Sequence, residues 1–580
     1  MLSLLFSKRT NAKMMSHVKP LLLIMIIVLG GCSHGDSDSQ KITEFKDWLL
    51  LNYSEDNLVS SIGAENGKVS IVFESGESSS VREDLVSVEK LYWQIEFKFS
   101  DNTIIEVGAI GEELPIQFSN EEMSLTPLSR EFSVDVPYKG LIRWIAMGEF
   151  GADGDVVSKP LAVNGSLYES TVHGLYQYGS TSVRIEYMNV NGYVRYSKTV
   201  DINSPDYSAS IDLDVEVSVL ENKNPNNLSL FLMRHRAAET GIFMVDSLGS
   251  LRWYLKSPTV EYAVQQTDRG SVLWVWFNKI YEYSLEGDEI ENITIPDKYG
   301  RIHHDIVDIG DRKFLLTVNH PNKETNEDFV ILYDAATESV VTEWDLNESI
   351  PKTAHFMADD VDWFHNNAIA FDSRDNSLLL SGQRSGVAKI SQSNELIWML
   401  TDPERFRDAS SEFQGKILFN QFGDIITWGQ HDIRVDEEAD VYYLFDNGRG
   451  RNYRNTELFS RGVKFVVDES NYTFDVINTF GEEYPELHSP IISGIDYNTE
   501  GFVLVNFGSI GYEMEYVSST DWKGDIWKDP QPDHGAVLLE YDSTGDLILD
   551  MRFSATYPEG SSREGKDPGI YRVRYGDLSQ

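Results

Sequence analysis

The sequence predicts an all-β protein: a six-bladed β-propeller preceded by small β-sandwich modules of the immunoglobulin sort. Three observations carry this expectation. Apolar residues alternate at period two in short runs bounded by Asp, Asn, Ser and Gly, the signature of half-buried antiparallel strands. From residue 228 the runs fall into six long units over about 350 residues, and repeats of that length with several strands each are the pattern of propeller blades. Within the units one phrase recurs: an apolar strand, then Asp or Ser with Gly or Asn, then a strand that often closes on Trp.

In chain order, residues 1–31 read as a signal peptide. Lys8, Arg9, Lys13 and Lys19 give a basic start, Leu21–Leu29 is an uninterrupted apolar run, and Gly30-Gly31-Cys32 follows. The run is too short to span a bilayer comfortably and ends in small residues. The small-small-Cys ending resembles a bacterial lipobox, which would make Cys32 the lipidated first residue of the mature chain. Ser33 is not the acidic residue that retains lipoproteins at the inner membrane, so the expected place is the cell envelope, lipid-anchored at the outer membrane. An ordinary secretory signal is the alternative. Residues 32–42 are a polar tether.

Cys32 is the only cysteine, so the fold must rely on core burial without an intrachain disulfide. The whole chain carries −44; without the four cations of the signal, 45 Lys and Arg face 93 Asp and Glu, a balance of −48. That field disfavours nucleic acid and anionic lipid as general partners. An anionic substrate would need a local basic pocket.

Residues 43–112 form a small β-rich module, with alternating runs at Val69–Phe73 and Tyr92–Ser100. A second β-unit spans 113–222, with strands expected around Phe132–Val136, Ile142–Met147, Ser182–Tyr187 and Tyr193–Ile202; His173, in a turn, reads as structural. Asn222–Asn227 is a linker, and the propeller takes 228–580.

Three propeller units begin on a histidine: His304-Asp-Ile-Val-Asp, His365-Asn-Asn-Ala-Ile and His431-Asp-Ile-Arg-Val. The intervals to the second apolar run are similar (304 to 315, 365 to 378, 431 to 442), and His304 fits them better than its neighbour His303. The first strand of a blade lines the central channel, so these histidines would share one funnel. One histidine on a strand is usually a satisfied structural residue; three at one repeat position point to a site. Two chemistries stay open: three histidines can hold zinc with a free position, and imidazole suits nucleophilic or acid–base work near neutral pH. Arg384 offers a fixed cation for an anion. Phe445-Asp-Asn-Gly-Arg-Gly-Arg451 is a glycine-permitted turn with two more cations, readable as a blade-to-blade turn or as a substrate loop.

Taken together, DWFHNNAIAFD at 362–372, SLLLSG at 377–382, VAKI at 387–390, GQHD at 429–432, LFDNGRGR at 444–451, the His304 unit and Tyr571-Arg-Val-Arg574 resemble the bacterial arylsulfate sulfotransferases. The resemblance spans the propeller and, through His173-Gly-Leu-Tyr, the 113–222 unit, and leaves 43–112 uncovered. It implies a propeller that moves a sulfuryl group from a phenolic sulfate ester to a phenol acceptor. The route it implies is ping-pong, through a sulfohistidine, with no adenylyl-sulfate (PAPS) cofactor and no metal. His431 matches the nucleophile. His304, His365 and Arg384 match the groups that hold the sulfuryl oxygens and assist the leaving phenolate, and Asn367 matches a substrate-binding asparagine. Counted without a gap, the family's arginine falls on Gln383, which joins Asn367 as a candidate substrate-binding residue, one position before Arg384. On a strand that slip reverses the face unless a bulge re-aims the side chain. Two other readings belong to different classes: a non-catalytic ligand-binding propeller lipoprotein, and a metal-dependent hydrolase. The sequence leaves the natural donor, the acceptor and a homodimer open.

Overall fold

The computed structural model describes residues 115–579 apart from short internal segments (137–138, 149–153, 165–166, 189–193, 205–213, 220–228, 236–240, 257–261, 263, 353–359, 452–457, 511–513, 516–525, 528–534 and 555–568), together with strand backbone between 59 and 108. The signal, Cys32, the tether and the linker at 222–227 lie outside the described residues. The protein is all-β.

Strands at Val59–Glu65, Lys68–Phe73 and Ser78–Ser80 form one antiparallel sheet, and Leu85–Lys90, Gln94–Phe99 and Ile104–Gly108 form another. After residue 115 come a three-stranded sheet centred on Arg130–Asp135 and a five-stranded sheet built around Lys139–Ala146 and Gly179–Met188. Their facing side chains, among them Phe132, Val134, Trp144, Val172, Val183 and Ile185, belong to one buried core.

Besides a two-stranded pair at Met514–Glu515 and Ile526–Trp527, six further sheets of four or five strands follow among the described residues. Their innermost strands are Val264–Gln266, Ile302–Asp308, Asn366–Asp372, His431–Asp436, Gly494–Tyr497 and Ile570–Gly576. The sheets adjoin in chain order, and Ile570–Gly576 lies against both Gly494–Tyr497 and Val264–Gln266, completing a ring. Two strands reach across the chain, and the first of them closes the ring. Ile570–Gly576 pairs antiparallel with Leu230–His235, and Asp214–Val219 pairs with Leu547–Ser554 at the outer edge of another sheet.

The recurring phrase has a physical cause. In the turns, Asp246 Oδ1 accepts from the backbone N–H of Leu248 and Ser250, and Asp542 Oδ1 accepts from those of Thr544 and Asp546. Gly249 (φ 88°) and Gly545 (φ 87°) supply the left-handed position, which costs a residue with a Cβ most. The closing tryptophans join neighbouring sheets. Trp253 Nε1 donates to Leu285 O (3.0 Å), Trp344 Nε1 to Ser391 O (3.0 Å) and Trp398 Nε1 to Glu469 (2.9 Å). Each ring is buried, so its indole N–H needs that partner. The core of the first ring sheet is continuous with that of the preceding sandwich. There the buried Arg252 pairs with Asp246 (2.9 Å) while donating to Gly174 O and Gly154 O.

Candidate active site

Three consecutive innermost strands start with a register shift: between Ile302 and Ile306, between Asn366 and Ala368, and between His431 and Ile433. A non-glycine residue at positive φ lies within or just before each shift: His304 (52°) and Asp432 (60°) within theirs, and His365 (59°) one residue before Asn366. Such conformations persist only where surrounding contacts hold them, and they cluster at functional sites.

The holding contacts are a repeated bridge to the next sheet. Asp305 Oδ1 accepts from Ile306 N and its Oδ2 from Ile369 N (3.0 Å); Asp432 Oδ1 accepts from Ile433 N and its Oδ2 from Ile495 N (3.1 Å). Asn367 takes the same place between them, donating from Nδ2 to Gln430 O (2.9 Å). Aligned on these bridges, His304 and His431 are equivalent, and their counterpart in the middle strand is Asn366. His365 sits one residue earlier.

At the core of the ring these bridges meet two arginines from the last strand. Arg572, 3% exposed, pairs with Asp305 (2.8 Å), approaches Asp432 (3.6 Å) and donates to Asn367 O (3.1 Å). Arg574 makes a bidentate pair with Asp432 (2.7 and 2.8 Å). Burial alone would raise the Asp432 carboxyl; the two guanidinium groups hold it well below the usual carboxylate range. Three histidine-bearing strands are thus fixed by one buried charge network.

His431 is buried, and its Nδ1 lies 2.8 Å from Asn447 Oδ1. Asn447 donates from Nδ2 to Ser489 O (2.6 Å) and Ile492 O (3.0 Å), which fixes the amide with its oxygen towards the ring. Nδ1 therefore carries the proton and Nε2 presents its lone pair. Burial pushes the His431 pKa down to about 3; the Asn447 bond opposes this, and the positive His365 and Arg572 add to it. The ring is neutral at physiological pH.

His365 is the opposite case. Its Nδ1 lies 2.8 Å from Glu327 Oε2 and 2.9 Å from Asp362 Oδ2. Burial works against its charge, yet the two carboxylates raise its pKa to about 9. The ring of His304 packs edge-on against His365 with centroids 5.1 Å apart. Burial, with the charged His365 beside it, holds His304 well below its ordinary pKa despite Glu327. Tyr262 and Tyr571 flank His304 at 5.0 and 6.2 Å, and the buried Tyr571 hydroxyl has no hydrogen-bond partner among the described residues.

The two residues at the slip go different ways. Gln383 Nε2 lies 3.5 Å from His431 Nε2, and Gln383 Oε1 accepts from Arg449 Nη1 (3.2 Å). Arg384 pairs with Asp362 (2.7 Å) and so supports the carboxylate that faces His365. The structure thus groups His304, His365 and Arg384 around Glu327 and Asp362, and groups His431, Gln383 and Asn367 beside them. Sequence reasoning did not single out Glu327 or give roles to Asn447, Arg449 or Arg572. Asn447 and Arg449 lie in the glycine-rich tract, and Arg572 in the terminal Tyr-Arg-Val-Arg. Glu327 left no signal beyond its positive φ of 58°, which a sequence does not display.

Two overlapping donor sets could hold a divalent cation: His303, His304 and Glu327, and Glu327, Asp362 and His365, with ligand atoms within 4.8 Å of one another in each. Imidazole with carboxylate suits zinc or manganese. His431 belongs to neither set. A cleft of about 600 Å³ lies on the sandwich sheet, lined by Glu131, Glu169 and Glu286 with Gln117 and Ser119. Among the described residues its lining includes no cation or imidazole.

Residues 216–558 match the arylsulfotransferase (ASST) family, and the chain belongs to that family. Two curated relatives are similar to it. The arylsulfate sulfotransferase AssT of Escherichia coli is 23% identical over 343 aligned positions, covering 46% of this chain and 57% of that protein. The enzyme of the same name from Lelliottia amnigena is 22% identical over 347, covering 46% and 57%. The chain therefore spans a little over half the length of the curated relatives it matches. Among solved structures, a Bacteroides caccae protein of unknown function superposes with a TM-score of 0.35 at 11% identity, over 60% of this chain and 99% of that one.

Proposed function

We propose that the protein is an aryl-sulfate sulfotransferase that works without an adenylyl-sulfate cofactor, on a six-bladed propeller whose blades are the six sheets of the ring. The observation that carries this reading is the opposed protonation of two neighbouring histidines, His431 neutral with Nε2 exposed to the site and His365 held as an imidazolium. Pairs of titratable groups pushed apart in this way define a base or nucleophile and an acid.

In the first half-reaction His431 Nε2 attacks sulfur and the bond from sulfur to the aryl oxygen breaks. The departing phenolate takes its proton from His365, and the sulfuryl group stays on His431 as a sulfohistidine. In the second, an acceptor phenol returns its proton to His365 as its oxygen attacks sulfur, the N–S bond breaks, and neutral His431 is restored. Splitting the transfer this way gives ping-pong kinetics. Tyr262 and Tyr571 supply aromatic surface for the phenol rings. With Cys32 lipidated, the protein would work on the periplasmic side of the envelope or at its surface; the sandwich sheets would be immunoglobulin-like spacers, and a homodimer is compatible with this.

The test follows phenolate release from a chromogenic aryl sulfate, with and without an added phenol, for the parent and for His431→Asn. Acceptor-stimulated release that disappears in the variant is the expected result. A folded parent that releases nothing from a panel of aryl sulfates would move the assignment to a ligand-binding propeller. The imidazole–carboxylate sets around Glu327 support a second reading, metal-dependent ester hydrolysis. Stoichiometric metal in protein purified without a histidine tag, with release that acceptor does not stimulate, would favour it.

A further inference from the structure

Sulfuryl transfer spreads negative charge over the oxygens on sulfur, and fixed donors aimed at those oxygens lower the barrier. The group on His431 Nε2 needs such a donor beside it, and Arg384 is engaged with Asp362 instead. Gln383 is the side chain that stands there, 4% exposed, with its amide nitrogen 3.5 Å from Nε2. That separation is long for a hydrogen bond to the ring, which leaves the amide N–H groups for an oxygen held on sulfur.

An amide can present either end, and the neighbouring guanidinium decides which. Arg449 Nη1 donates to Gln383 Oε1 at 3.2 Å, and the carbonyl oxygen is the only acceptor glutamine has. The NH2 group is therefore the end that faces His431. Arg449 is itself built in. It is 6% exposed, its backbone N–H donates to Trp428 O (2.9 Å), and a Cβ on Gly429 (φ 70°) would stand 2.8 Å from the Arg449 Cβ. Asn447, two residues before it, holds the other nitrogen of His431. One loop thus sets both ends of the imidazole: Asn447 fixes Nδ1, and Arg449 addresses Nε2 through Gln383.

We propose that Gln383 and Arg449 act as a unit in sulfuryl transfer, Gln383 donating to the sulfuryl oxygens at His431 Nε2 and Arg449 orienting that amide and supplying the positive charge behind it. This rests on the transferase reading above; Gln383 is the catalytic member and Arg449 the positioning one.

Gln383→Glu in the full chain separates this from a structural role. A carboxylate of the same shape keeps and strengthens the bond to Arg449, so a merely structural contact survives. It also replaces the NH2 donor with an acceptor that repels the sulfuryl oxygens. The expected result is an unchanged thermal midpoint with phenolate release reduced at least ~100-fold, in kcat more than in KM. Arg449→Met should lower kcat, and Arg449→Lys should recover part of the loss. Turnover by Gln383→Glu within about threefold of the parent would overturn the proposal. An inactive parent would refute the transferase reading separately, and inorganic sulfate then decides the present one. A sulfate-dependent thermal shift in the parent that Gln383→Glu lacks supports the donor unit; no shift, or the same shift in both, rejects it.

Discussion

Replacing Glu327 with Gln tests whether His365 works as an imidazolium. The Glu327 carboxylate lies 2.8 Å from His365 Nδ1, with Asp362 at 2.9 Å on the same nitrogen. Together they overcome burial and raise the pKa from 6.5 to about 9, which favours the charged ring by about 3 kcal/mol. Loss of one close carboxylate should lower that pKa by about 1–2 pH units. With a value near 7.5, the protonated fraction at pH 8 would fall from about nine in ten to about one in four. Turnover that needs the imidazolium should then drop about fourfold at pH 8 and stay unchanged at pH 6, because both proteins are protonated there. His304, already neutral through burial, adds no limb of its own. The assay is kcat/KM for an aryl sulfate across neutral and alkaline pH, paired with an NMR titration of the His365 ring. An alkaline limb at the same pH in parent and variant, or a His365 in the parent that titrates near 6.5, would refute the reasoning.

Three further outcomes follow from the same geometry. Asn447→Ala removes the acceptor that fixes His431 Nδ1, and the misplaced ring should lower kcat about 100-fold in steady-state assays. Arg572→Met leaves Asp305 without its buried partner and Asp432 with only Arg574; chemical denaturation should show a loss of about 3 kcal/mol or more. Stability should also depend on pH from two directions. The raised His365 contributes stability that is complete below about pH 6.5 and lost as pH rises through about 9. The depressed His431 costs stability as pH falls from about 6.5 towards 3, so His431→Asn should flatten the acid side of a plot of thermal midpoint against pH.

The repeat of strands and Asx turns was legible because period-two alternation and turn chemistry are local. The indole bonds from Trp253, Trp344 and Trp398 explain why the phrase ends on Trp, though the sequence shows only the residue. What stayed hidden depends on contacts between distant segments. Asp214–Val219 sits near the sandwich in the chain, yet it pairs more than 300 residues away, at Leu547–Ser554. The three histidines looked like one repeat position, but the bridges of Asp305, Asn367 and Asp432 put His365 one step out of line. All three strands bulge at the same place, and there Asn366, not His365, stands where His431 does; the longer interval of the 365 unit hinted at this, but only the strand pairing locates it. The choice between Gln383 and Arg384 was likewise a matter of side-chain direction, set by Arg449 on one side and Asp362 on the other.

The ring closes with Ile570–Gly576, and this fixes the order in which a ribosome can deliver the site. When His304, His365 and His431 have all been synthesised, the carboxylates of Asp305 and Asp432 still lack Arg572, and Leu230–His235 still has an unpaired edge. Messages cut short before codon 571 would thus yield chains with most of the ring and every histidine, but without the two arginines that pair with Asp305 and Asp432 at its centre. Such products would expose a sheet edge that quality-control proteases and chaperones recognise. Assembly of the histidine cluster on its charge network therefore waits for Ile570–Gly576 to be synthesised.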